Sequence, residues 1–158
     1  MSQQRSEGRE APSAEVLRDL AERCAAGQLK ALSIKQPYPH HIFYDGKDVE
    51  NRDWPTRGRG WVLVHAGVSK SELDMDDPKE AAMPRGGIVG AMRITDCVQA
   101  MESRWFFGKY GFVIGEAFPL PMIPCRGQLG FFVPPAEILG DISRALANAE
   151  GGADGPGA

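Results

Sequence analysis

A chain of 158 residues that is 42% hydrophobic and 25% charged is long enough for one globular domain with a real core and too short for two comfortable ones. Its net charge of -3 lacks the basic excess of a dedicated nucleic-acid binder, and its nineteen glycines and twelve prolines disfavour a helical bundle. Cys24, Cys97 and Cys125 are odd in number and far apart, which argues against a disulfide framework or a structural zinc site and fits reduced thiols in a cytoplasmic protein.

In chain order, residues 1–11 are polar and without periodicity, and read as a disordered arm with no signal-peptide core. Over 12–28, Val16, Leu17, Leu20, Ala21 and Cys24 recur at helical spacing behind Ser13 as N-cap, with Gly27 as the stop. This helix is expected on the outside of the domain, where it either packs or serves a protein partner. Leu29 to Ile34 reads as a strand ended by Gln36-Pro37-Tyr38-Pro39, and His40 to Tyr44 as a short helix closed by Asp45-Gly46. Trp61 to Ala66 is apolar almost throughout and predicts a central strand, with Trp61 in the core and Trp54 partly exposed.

The acidic segment from Ser69 to Pro84 reads as an exposed insertion with one helical turn. Strands follow over Ile88 to Thr95, where Gly90 signals a bulge or a close backbone approach, and over Tyr110 to Phe118. Pro119, Pro121 and Pro124 predict an extended crossing outside any paired central strand, and Leu129 to Val133 a last strand. Helical spacing returns over 135–149 through Ile138, Leu139, Ile142 and Leu146, leaving 150–158 as a flexible tail. Five to six short strands with two to three helices, in no regular alternation, predict an α+β domain over 29–134 built as a small β-barrel decorated by helices. No stretch approaches a membrane span, so no membrane partner is expected.

Chemistry concentrates in Gly46-Lys47-Asp48-Val49-Glu50-Asn51-Arg52. On an extended backbone Glu50 and Arg52 share a face, and Gly46 allows a sharp turn before them. At about 4 kcal/mol before desolvation, the coupling of a carboxylate to a neighbouring cation lets Glu50 hold either one in place. Beside a second cation, Lys47 is expected to serve as a base or to bind phosphate; a structural ion-pair network is the competing reading. Around this stretch, six cations face four carboxylates over 30–60, whereas over 70–80 two face five. Arg57 and Arg59 suit phosphate contacts and Trp54 flanks them as a further ligand contact; Gln36, Tyr38 and His40 either approach the same cleft or cap a turn, and His65 ends the central strand where a barrel pocket would open, as a general base or as a hydrogen-bonded structural histidine. The Trp105-Phe106-Phe107 run reads as core packing ahead of a ligand wall, and Cys97 and Cys125 as buried apolar residues. His40, His41 and His65 lack metal-ligand spacing as a set, and neither a metal nor a cofactor is predicted.

Leu32-Ser33-Ile34-Lys35-Gln36-Pro37, the Lys47-x-x-Glu50-x-Arg52 stretch, Gly58-Arg59-Gly60 before a strand ending in His65-Ala66, Arg85-Gly86-Gly87-Ile88-Val89-Gly90, and Pro121 to Gly127 with Gly130-Phe131-Phe132 occur in that order. Together they resemble the ASCH domain, the activating-signal-cointegrator homology family, over roughly 29–134. Asp45 stands where the family signature places its glycine, one residue ahead of Gly46. The resemblance implies a PUA-like barrel whose Lys47, Glu50 and Arg52 lie in a cleft for RNA, single-stranded nucleic acid or a nucleoside. It also implies, as the alternative, a hydrolase acting on modified nucleosides or RNA, with Lys47 as base or electrophile, Glu50 as proton carrier and His65 as partner. In the acylated-cytidine hydrolases of the family a threonine nucleophile occupies the position of Glu50, so binding through the Lys/Glu/Arg cleft is the leading expectation.

Overall fold

The central strand is apolar at nearly every position because both of its faces are covered. Leu63 lies in one buried cluster with Leu17, Leu20, Ala31, Phe118, Leu139 and Ile142, whereas its neighbour Val64 lies in another with Leu32, Ile42, Phe43, Met92 and Phe112. Alternate side chains of one strand thus feed two cores, which removes the polar alternation of a half-exposed strand.

The computed structural model describes residues 9–154. In chain order the elements are α1 (Ala14–Ala25), β1 (Ala31–Ile34), α2 (Tyr38–Tyr44), β2 (Val49–Arg52), β3 (Gly60–Ala66), α3 (Pro78–Ala81), β4 (Gly87–Val98), β5 (Tyr110–Pro124), β6 (Phe131–Phe132) and α4 (Ala136–Asp154). The strands form a single mixed sheet in the order β2-β5-β4-β3-β1-β6, with β1 and β3 parallel and the other neighbours antiparallel. The sheet curls into a half-barrel, so the expected α+β class and small barrel-like architecture are present, with four helices among the described residues.

Side chains span the gap between the two sheet edges. Trp54, just after β2, packs edge-on against Phe131 of β6 with ring centroids 5.8 Å apart and against Phe112 of β5 at 5.3 Å. Phe112 and Phe131 are themselves stacked at 6.1 Å.

Helix α1 starts where its cap residue dictates: the Ser13 hydroxyl accepts from the Val16 amide at 3.1 Å. Its apolar stripe is buried against α4 and the sheet, and the Ser143 hydroxyl of α4 donates to the Ala21 carbonyl at 2.8 Å. The stripe expected to pack or to serve a partner is therefore occupied within the chain. Residues 1–8 of the expected arm lie outside the described residues. Arg9 is held by three backbone carbonyls, those of Ile42 at 2.6 Å, Lys47 at 2.8 Å and Gly115 at 3.0 Å. Helix α4 continues past the expected stop at 149, and Gly140 does not interrupt it. No helix among the described residues is long and apolar enough to cross a membrane.

Strand β5 departs most from expectation. Pro119 and Pro124 face Gly90 and Gly87 across a paired ladder, although the prolines predicted a crossing outside the sheet. The four-residue β2 covers only Tyr110 to Val113, so the later half of β5 lies beyond the reach of β2 on its outer side. A proline there forfeits a donor that no strand would have used. The expected half-exposure of Trp54 is observed, but Trp61 is half-buried as well, against Phe118 at 5.6 Å. Cys97 is only partly buried, whereas Cys24 and Cys125 are buried.

Gly90 marks both features foreseen for it. The register shifts around Val89 in both ladders of β4, and a Cβ added at Gly90 would lie 2.3 Å from the Phe118 carbonyl oxygen and 2.5 Å from the Phe43 ring. The carbonyl belongs to a paired strand and has little freedom to retreat. Gly90→Ala should lower stability by about 1–3 kcal/mol or more, read as a lower midpoint in thermal or urea unfolding.

Candidate ligand-binding cleft

Strands β1 and β3 run parallel, so their C-terminal ends emerge on one side of the sheet. The segments after them, the C-terminal half of β2 and the loop from Cys125 to Gly130 enclose an open cleft of about 1240 Å³. Its charged lining is mixed, with Lys35, Arg52 and Arg126 against Glu50, Asp53 and Glu72. Its aromatic lining is Tyr38, Trp54 and Phe107. Val68, Phe107 and Leu129, three of the most exposed apolar residues of the protein, stand on its walls.

Beneath the cleft lies a buried ion triad. Lys47 and Glu50 are 3% and 6% exposed, values that long charged side chains reach only when paired. The Lys47 ammonium donates to the Val49 carbonyl and to Glu50 Oε1 at 3.3 Å, and its nitrogen lies 5.6 Å from the centre of the Tyr38 ring. Arg52 donates to Glu50 Oε2 from Nε at 3.2 Å, with Nη2 at 3.1 Å from the same oxygen. Nη2 also donates to the Ser33 carbonyl at 2.9 Å, tying β2 to β1 across the opening of the half-barrel. Every buried side-chain nitrogen and oxygen among the described residues has a hydrogen-bond partner.

Other anchors shape the walls. The Tyr38 hydroxyl donates to Glu72 Oε1 at 2.8 Å; burial first, and then Glu72 and Glu50, push the phenol above its ordinary pKa and keep it a donor. Asn51 donates to the Trp105 carbonyl at 2.9 Å and accepts from the Phe107 amide at 3.0 Å, which places Phe107 over the cleft. Phe107 is 68% exposed, a correction to the expected core packing of that run. The 105–107 segment is pinned through its backbone, so its last aromatic is free to face outward.

The residues singled out in the sequence divide into three groups. Tyr38, Glu50, Arg52, Trp54 and His65 line the cleft. Lys47 lies under it, behind Glu50 and Tyr38. Gln36, Gly46, Arg57 and Arg59 are not among its lining residues. Gln36 is 2% exposed and structural, donating to the Pro84 carbonyl at 2.9 Å and accepting from the His40 amide at 3.2 Å. Gly46 adopts a positive φ of 75° in the turn that leads to Lys47. Arg59 caps the Thr56 and Gly58 carbonyls and pairs with Asp96 at 3.5 Å. Lys35, Arg126 and Ser33 escaped the sequence reading as cleft residues, although Lys35 counts among the cations over 30–60; Phe107 belongs to the aromatic run read as core packing ahead of a ligand wall, and it is the wall that it forms. No group of three His, Cys, Asp or Glu side chains among the described residues is arranged to hold a metal ion.

Compared with known proteins, the chain matches no family model, and no curated protein sequence is similar to it.

Removing one member of a buried charge group costs more than the group itself contributes, because the partner is left uncompensated. Glu50→Ala, which strands Lys47, should cost about 3–5 kcal/mol. Arg52→Ala, at the solvent edge of the triad, should cost about 1.5–3 kcal/mol. Equal losses in chemical denaturation would contradict this ranking.

Proposed function

We propose that the cleft binds a nucleotide or a short single-stranded RNA segment, on a PUA-like barrel of the ASCH type. The observation that carries this reading is the grouping of Tyr38, Trp54 and Phe107 with Lys35, Arg52 and Arg126 around the one carboxylate whose position is fixed from below. A base has an apolar face and a polar edge, and aromatic walls above a polar floor suit both. Glu50 Oε1 accepts from Lys47 and keeps a lone pair for a further donor such as an exocyclic amino group. Lys47 then acts by positioning Glu50 and Tyr38 and does not itself touch the ligand.

The balance of charge sets the scale of the ligand. Three cations line the cleft against three carboxylates, and Arg52 is already committed to Glu50, so about two phosphates is the most the site can neutralise. Binding of a short fluorescent RNA should therefore weaken with salt at a logarithmic slope no steeper than about -1.4, at about -0.7 per phosphate. Tyr38→Ala or Trp54→Ala should each cost about 1–3 kcal/mol of affinity. Arg59→Ala should leave affinity unchanged. Anisotropy titrations with the RNA and with nucleoside monophosphates test this, and no binding of either at low salt would sink it.

A further inference from the structure

The parallel pairing of β1 and β3 sets Ser33 directly opposite His65 in the register, and both line the cleft. Ser33 Oγ lies 2.9 Å from His65 Nδ1, and His65 Nε2 lies 2.6 Å from the Cys125 carbonyl oxygen. A carbonyl only accepts, so Nε2 carries the proton. In the neutral ring Nδ1 is then a lone pair aimed at the serine hydroxyl. The ring is 2% exposed and packs edge-on against Phe132 at 5.9 Å, which fixes its plane.

Two glycines keep the approach to this hydroxyl open. A Cβ at Gly127 would lie 3.1 Å from Ser33 Oγ and 2.7 Å from His65 Cε1, and one at Gly67 would lie 3.3 Å from Ser33 Oγ. Neither glycine has the positive φ that would require glycine for backbone reasons. Arg52, by bonding the Ser33 carbonyl, also holds the strand end that carries the hydroxyl and brings a cation beside it.

We propose that Ser33 is a nucleophile and His65 its general base, and that the cleft hydrolyses carboxylic esters. The ring is backed by a carbonyl and not by a carboxylate, which supports the imidazolium less than in a full triad and suits esters better than amides. The exposed Val68 and Leu129 beside the two glycines offer an apolar wall for the acyl group, and Arg52 and Arg126 a polar side for the developing oxyanion. In the first half-reaction Ser33 passes its proton to Nδ1 as Oγ bonds to the carbonyl carbon. The carbon–oxygen bond to the alcohol then breaks, and the alcohol leaves with that proton. In the second, water gives a proton to Nδ1 and its oxygen bonds to the acyl carbon, after which Ser33 recovers the proton as the acid departs. This activity is independent of nucleotide binding in the same cleft, which the anisotropy titration reads separately.

The test is covalent labelling with a fluorophosphonate, in which Oγ bonds to phosphorus and fluoride leaves, alongside turnover of p-nitrophenyl acetate and butyrate. The expected result is a mass increment on the Ser33 peptide, none in Ser33→Ala, and a rate at least about a hundredfold lower in His65→Gln. A second variant covers the case in which His65→Gln fails to fold: the thiol of Ser33→Cys should be alkylated by iodoacetamide faster than native Cys97. Absence of label on Ser33, labelling that persists unchanged without His65, or an introduced thiol no more reactive than Cys97 would overturn the proposal.

Discussion

The two-sided grip on the Glu50 carboxylate is the constraint on which the rest of the cleft depends. One oxygen takes the Lys47 ammonium from below, the other takes Arg52 from the side, and Arg52 passes the connection on to β1 through the Ser33 carbonyl. A half-barrel has two edges and no hydrogen-bond ladder between them. Here that gap is crossed by a guanidinium and by the Trp54, Phe112 and Phe131 rings. Buried charge is a costly way to join strands, since an apolar cluster would hold them as well or better. What it provides that an apolar cluster does not is a carboxylate and a cation in defined positions at the floor of a cavity.

The same arrangement explains why the site is built on strands while its walls are built on loops. Glu50, Arg52, Ser33 and His65 sit on β1, β2 and β3, whose hydrogen bonds hold them in register. The exposed apolar residues of the cleft walls, Val68, Phe107 and Leu129, come from connections between elements. Rigid polar groups below and adaptable apolar contacts above form a division suited to ligands that share one functional group and vary elsewhere.

Much of this was legible in the sequence where a local cause governs. Ser13 is an N-cap whatever surrounds it, the run from Trp61 to Ala66 is apolar enough to mark a central strand, and Gly90 announced a close approach that Phe43 and the Phe118 carbonyl supply. The triad was legible because its members fall within six residues. The Ser33–His65 pair was not, because it depends on a parallel register between segments 32 residues apart in the chain, and no local pattern encodes that register. The proline-bearing half of β5 misled for a related reason: whether a proline fits a strand depends on how far its neighbour extends, and β2 stops after four residues. Arg9 carried no signal at all, since its partners are backbone carbonyls from three separate segments.

The outer edge of β5 has a consequence for how the protein behaves among its own copies. Beyond Val113 the strand has no β2 partner, which in most sheets would leave a row of donors and acceptors able to recruit a strand from another molecule. Pro119 and Pro121 lie two residues apart, so their missing donors fall on the same side of the strand, and Arg9 occupies the Gly115 carbonyl just beyond the start of β2. A visiting strand would find an interrupted ladder and an acceptor already taken. Residues that looked like obstacles to a strand are thus compatible with a long one, and they make its outer edge a poor template for a further strand.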